Sequence, residues 1–154
     1  MVRNKARLIA KGFNQEEGID YEETFTPVVR LEAIRMLLAY ASCNNFKLFQ
    51  MEVKSAFLNG FISEEVYVKQ PPGFKNNSLP NHVFKLTKAL YGLKQAPRTW
   101  YERLSLFLIE NNFSNGKVDI TLFIKNFENN FLIVQIYVYD IIFGSTNESL
   151  CEFC

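Results

Sequence analysis

At 154 residues the chain has the length of one ordinary domain, or of a piece of a larger one. Its 48% hydrophobic and 15% aromatic residues suffice for a core, yet no stretch approaches the roughly 18 uninterrupted apolar residues of a membrane span. A net charge of +1 lacks the cationic excess of a typical nucleic-acid-binding domain, and three cysteines, an odd number, argue against a disulfide framework. The polar start Met1-Val2-Arg3-Asn4-Lys5 is no secretory signal, so a reducing, intracellular setting is expected.

Taken in chain order, residues 1–30 read as a basic strand-like segment (Arg3, Lys5, Arg7, Lys11) followed by an acidic loop (Glu16, Glu17, Asp20, Glu22, Glu23). A helix is predicted over 31–41, with Leu31, Ile34, Leu38 and Ala41 on one face and Asn44-Asn45 as its stop. Residues 47–53 alternate as a strand, Phe49, Met51 and Val53 pointing one way and Leu48, Gln50 and Glu52 the other. A short helix or turn over 55–61 ends at Asn59-Gly60, and a strand over 65–69 is stopped by Pro71-Pro72-Gly73. After a loop through Asn76-Asn77-Ser78 and a second basic stretch (Lys85, Lys88, Lys94, Arg98, Arg103), an amphipathic helix is predicted over 99–112 behind Pro97. Strands over 121–125, 131–138 and 141–145 complete an α+β domain with mostly antiparallel strands. Cys151-x-x-Cys154 supplies only two of the four ligands of a structural zinc site and reads as chance spacing.

The chemistry-bearing segment is Tyr137-Val138-Tyr139-Asp140, a tight turn between the apolar runs Phe131–Val134 and Ile141–Gly144. It occurs in order with Lys5–Phe13, Tyr21–Arg30, Met51-Glu52-Val53-Lys54-Ser55-Ala56-Phe57-Leu58-Asn59-Gly60, Glu65–Phe74 and Ala89-Leu90-Tyr91-Gly92-Leu93-Lys94-Gln95-Ala96-Pro97-Arg98-Thr99-Trp100-Tyr101. With these blocks the chain resembles, over nearly its whole length, the reverse transcriptase of copia-type LTR retrotransposon polyproteins.

The resemblance implies a right-hand polymerase fragment, fingers-like over about 1–45 and 60–98 and palm-like over about 46–59 and 99–150, with the thumb absent. It implies DNA synthesis from dNTPs on an RNA or DNA template-primer, with Mg²⁺ or Mn²⁺ ions held by carboxylates gathered from separate strands. Positions 52, 139 and 140 match the catalytic acids, and the backbone carbonyl of Val53 matches a further metal ligand. Lys5, Arg7 and Lys11 match the segment that grips the incoming triphosphate, and Phe57 the aromatic that excludes a ribose 2′-hydroxyl. Tyr91, Gly92 and Gln95 match the block lining the nucleotide and template. The remainder of the polyprotein is the implied covalent partner, and no membrane is implied.

The chain departs from that pattern at two acids. The family has aspartate at both positions where this chain has Glu52 and Tyr139. Glu52 keeps a carboxylate but extends it by one CH₂, and a misplacement of about 1 Å can cost on the order of 100-fold in rate. Tyr139 replaces an anionic ligand by a phenol, which is neutral at pH 7. Asp119 is a carboxylate that nothing in the sequence brings to the site. With the thumb also expected to be missing, the chain is predicted not to polymerise DNA. The alternatives are a non-enzymatic remnant binding nucleic acid through its two basic stretches, or a functionless product of a decayed copy.

Overall fold

The computed structural model describes residues 7–153. Lys5 and Arg3 of the first basic stretch, and Cys154, therefore lie outside the described residues. The chain divides into two compact units, one formed by the described part of Met1–Phe25 with Phe57–Arg103, the other by Thr26–Ala56 with the described part of Leu104–Cys154. Among the described residues there are two α-helices and a mainly antiparallel sheet, an α+β architecture.

The second unit holds helix α1 (Leu31–Cys43) and strand β1 (Leu48–Glu52). It also holds β4 (Ser114–Asn115), β5 (Leu122–Phe127), β6 (Asn130–Tyr137) and β7 (Asp140–Ser145). These five strands make one antiparallel sheet in the order β1-β7-β6-β5-β4. Five consecutive residues of β6, Leu132 to Ile136, are buried. A strand buried on both faces reads as a continuous apolar run, and Leu132-Ile133-Val134 is the part of that run legible in the sequence. Phe123 and Ile136 are fully buried, each contributing about 1.5–3 kcal/mol relative to exposure. A short 3₁₀ helix, Glu148–Phe153, follows the sheet.

α1 ends where Asn44-Asn45 predicts. Asn45 has φ +54°, its N–H reaches the Ser42 carbonyl, and the Phe46 N–H reaches the Ala41 carbonyl at 3.1 Å. This is the Schellman closure, in which a left-handed residue lets the chain satisfy orphan carbonyls. Phe46, delivered by that turn, packs edge-on against Phe131 of β6 at 5.5 Å between centroids, with Tyr40 completing the trio.

The first unit contains 3₁₀ turns at Gly12–Asn14 and Ala56–Asn59, the latter contributing Phe57 onward. Its two-stranded sheet pairs β2 (Tyr67–Lys69) with β3 (Val83–Lys85). Its core is Val66, Ala89, Leu93 and Ala96, with Ala10, Phe57, Ile62, Leu86 and Leu90 packed around them. β3 has only three residues, too few for alternation to stand out, and the sequence does not predict it. Gln70 fixes the intervening loop by donating to the Leu79 and His82 carbonyls and accepting from the Asn76 N–H.

Helix α2 (Ala96–Glu110) starts three residues earlier than predicted. Pro97 sits inside its first turn, where the missing N–H has no intrahelical acceptor to lose. Ala96–Arg103 counts with the first unit and Leu104–Glu110 with the second. α1 falls with the five-stranded sheet in the second unit. No described helix is long and apolar enough to cross a membrane.

Candidate functional site

In the second unit, the residues singled out around the acidic turn converge. β6 and β7 form a hairpin in which Tyr137 faces Asp140 and the loop is the two residues Val138-Tyr139. Val138 has φ +54°, an outlier for a β-branched residue, in a loop type that favours glycine or asparagine there. Across β7 from this hairpin, Glu52 is the register partner of Asp140. Directly opposed residues of antiparallel strands share a face, so Glu52, Asp140 and Tyr137 form one cross-strand row. The strand after Glu52 is tied to the turn, because the Val53 N–H donates to the Tyr139 carbonyl at 2.9 Å. Glu52 and Tyr139 are exposed and Asp140 is half-buried.

Gln50, which the sequence places only as a strand residue, donates from Nε2 to Asp140 Oδ1 at 3.2 Å. The signal for it was present, since Gln50 lies two residues before Glu52 on the same face, but the cross-strand register was needed to bring Asp140 within reach. Asp119 is already committed. One carboxylate oxygen accepts from the Thr121 N–H and hydroxyl, the other from Gln135 Nε2, and Gln135 and Thr121 are themselves buried. Among the described residues, no group of three or more His, Cys, Asp or Glu side chains is arranged to hold a metal ion. Glu52 and Asp140 are thus a pair without a third acid.

In the first unit, Arg7, Phe57, Tyr91 and Gly92 come together. The Arg7 guanidinium lies 4.2 Å from the Tyr91 ring centroid, and the Phe57 ring tilts against the same ring at 5.0 Å. Ile9 bridges to Tyr91, and the Ala10 N–H donates to the Tyr91 carbonyl at 2.7 Å. The next residue must be glycine: Gly92 has φ +92°, and a Cβ there would stand 2.2 Å from the Ala10 carbonyl oxygen. Lys11 is exposed at the edge of the Gly12–Asn14 turn.

Gln95 is placed differently. It is fully buried, donates to the Asp20 carbonyl at 3.3 Å and accepts from Gln15 Nε2 at 3.0 Å. Lys94 adds bonds to the Gln15 carbonyl and the Tyr21 hydroxyl, and Arg98 to the Glu23 carbonyl. The acidic loop is therefore fastened to the stretch 94–98, a pairing for which the sequence carries no local signal. Every cation of the second basic stretch has a partner in the chain. Lys85 pairs with Glu65, Arg98 with Glu64 and Glu102, and Lys88 and Arg103 lie over the Phe61 ring.

The second unit thus sets a strand-end acid opposite the acid of a two-residue hairpin, and the first unit holds a stacked arginine–aromatic cluster. Residues 1–153 match the family model described as reverse transcriptase (RNA-dependent DNA polymerase). The chain belongs to that family, within its copia-type branch. It is 44% identical over 148 residues to the retrovirus-related Pol polyprotein from transposon RE1 of Arabidopsis thaliana, covering 96% of this chain and 10% of that protein. The corresponding polyprotein from transposon RE2 of the same plant is 44% identical, covering 97% of this chain and 10% of its own length. That from transposon TNT 1-94 of Nicotiana tabacum is 42% identical, with 97% and 11% covered. The chain thus spans about a tenth of the length of these relatives. No solved structure matches it.

Proposed function

We propose that this chain is a copia-type reverse transcriptase domain whose metal locus is incomplete, so that it does not itself synthesise DNA. The observation that carries the reading is the side chain at the hairpin turn: Tyr139 stands where the resemblance expects an aspartate, leaving Glu52 and Asp140 as the acids of the row.

The donor set decides what this locus would hold. The two opposed carboxylates, and the Val53 carbonyl that the resemblance adds to them, are hard oxygen donors, and Mg²⁺ or Mn²⁺ commonly binds through one or two carboxylates while keeping waters. These residues fit one such ion. When bound, it would supply Lewis-acid polarisation of a phosphoryl oxygen. A second ion held beside it needs a further anionic ligand, and position 139 offers a phenol instead. The longer arm of Glu52 compounds the defect by displacing the carboxylate along the face.

In the same reading the sheet unit is palm-like and the other unit fingers-like. Arg7 and Lys11, with Lys5, would meet a nucleoside triphosphate, Phe57 and Tyr91 would present aromatic surface to its sugar and base, and Gly92 would let the backbone approach closely. Gln95 would act by fixing the 94–98 backbone. Template-primer and the remainder of a Pol polyprotein are the corresponding partners. The internal pairing of the cations over 85–103 does not favour the alternative of a nucleic-acid-binding remnant.

The test compares this chain with the Glu52→Asp, Tyr139→Asp double variant. Titration with Mn²⁺, followed by electron paramagnetic resonance, is expected to show at least about tenfold tighter binding in the double variant, because ligand charge sets affinity at oxygen sites. Primer extension with Mg²⁺ or Mn²⁺ should show no product from the unaltered chain. DNA synthesis by that chain would sink the proposal.

A further inference from the structure

We propose that Gln50 is a positioning residue that sets the rotation of the Asp140 carboxylate. The inference deepens the reading above and rests on it. Gln50 and Glu52 lie on the same face of β1, and register puts Gln50 diagonal to Asp140, a neighbour relation within reach of a long side chain. Its Nε2 donates to Oδ1 of Asp140 at 3.2 Å. The terminal torsion of an aspartate is broad, so an unheld carboxylate samples many orientations. A donor on Oδ1 selects one of them and leaves Oδ2 available to a cation.

The chemistry of the donor suits this task. A lysine or arginine at position 50 would pair with Asp140 and compete with a cation for its charge. An apolar residue would give no orientation. A neutral amide orients the carboxylate and leaves its charge intact. Such outer contacts to metal-ligating carboxylates typically change metal affinity by about 10–100-fold when removed. Glu52, directly opposite Asp140, cannot play the part, since two like charges facing each other across a ladder repel.

The experiment measures Mn²⁺ affinity by electron paramagnetic resonance in the chain as it stands and in Gln50→Leu, Tyr139→Asp, and the two combined, with the thermal midpoint recorded for each. Gln50→Thr, a β-branched replacement suited to a strand, serves as a second variant should leucine disturb folding. The expected result is that Tyr139→Asp tightens Mn²⁺ binding and that loss of Gln50 weakens it about tenfold in both backgrounds with the midpoint unmoved. Nitrogen-15 NMR adds a readout without metal: the Gln50 side-chain amide signal shifts in an Asp140→Ala variant. If Tyr139→Asp tightens binding while both Gln50 variants stay within about twofold of their parents, Gln50 has no positioning role. If Tyr139→Asp leaves Mn²⁺ affinity unchanged, the metal locus itself is misread and the role of Gln50 falls with it.

Discussion

Val138 and Gly92 solve similar backbone problems with opposite residues. Both have positive φ, yet Gly92 lacks the Cβ that would strike the Ala10 carbonyl, while Val138 carries a branched one into the left-handed region. Left-handed backbone costs an L-residue roughly 1–2 kcal/mol, least for asparagine. Val138→Asn is therefore expected to raise stability by about 0.5–1 kcal/mol, read as a higher denaturation midpoint at unchanged slope. Gly92→Ala should lower it by about 2–3 kcal/mol, since both space and φ are wrong. It should also weaken the Arg7–Tyr91 stack, visible in the Tyr91 ring resonances. At this scale the sequence exposed the chemistry unevenly. Glu52 and Asp140 are singled out by the resemblance of their blocks, whereas the Gln50–Asp140 contact spans 90 residues and only register creates it. Gln95, drawn toward the nucleotide by motif alone, sits fully buried on the acidic loop.

Both helices end on the same device. At the end of α2, Asn112 has φ +64°, its N–H bonds to the Ile109 carbonyl, and the Phe113 N–H bonds to the Leu108 carbonyl, both at 3.0 Å. Each closure uses the second asparagine of an Asn-Asn pair, the signal that marks the stop of α1 in the sequence. Asn112→Ala should cost about 1 kcal/mol and Asn112→Gly should gain a few tenths, a pair of opposite shifts in thermal midpoint. The β2–β3 pair shows what was not legible. Its register rests on three residues a strand and is clamped by Lys85 on Glu65. The hydrogen bond from Lys85, followed by its charge, holds the Glu65 carboxyl below its ordinary 4.5, and the reciprocal bond holds Lys85 above its ordinary 10.5. The depressed Glu65 contributes stability that is present above its unfolded value and lost as pH falls through the folded one. The raised Lys85 contributes below its unfolded value and loses it as pH rises through the folded one. Both groups are fully exposed, so the effect on folding is small. The clean measurement is an NMR titration of Lys85→Met, in which the Glu65 midpoint should move up toward its ordinary value.

On the scale of the molecule, the α+β class and the run of strands after α2 were readable because long apolar or alternating segments carry their own period. The division into units was not, because it depends on which distant segments pack together. The first unit joins residues before 26 to residues after 56, and the second joins what lies between them to everything after 103. Short pieces such as β3 and β4 acquire strand geometry only from their partners. Exposed apolar side chains are spread over both units, among them Phe13, Phe74, Met36 and Phe107.

The interleaving of the two units has a consequence for how the chain is made. β1 emerges from the ribosome some 90 residues ahead of β7, the strand it pairs with. At about 5–20 residues per second that is a wait of roughly 5–18 s, long against the microseconds in which a hairpin such as β6–β7 closes. Throughout it, Phe49 and Met51 travel on a strand with no sheet to join. The sheet that carries Glu52 and Asp140 is thus completed only once β7 has followed β1 out of the ribosome.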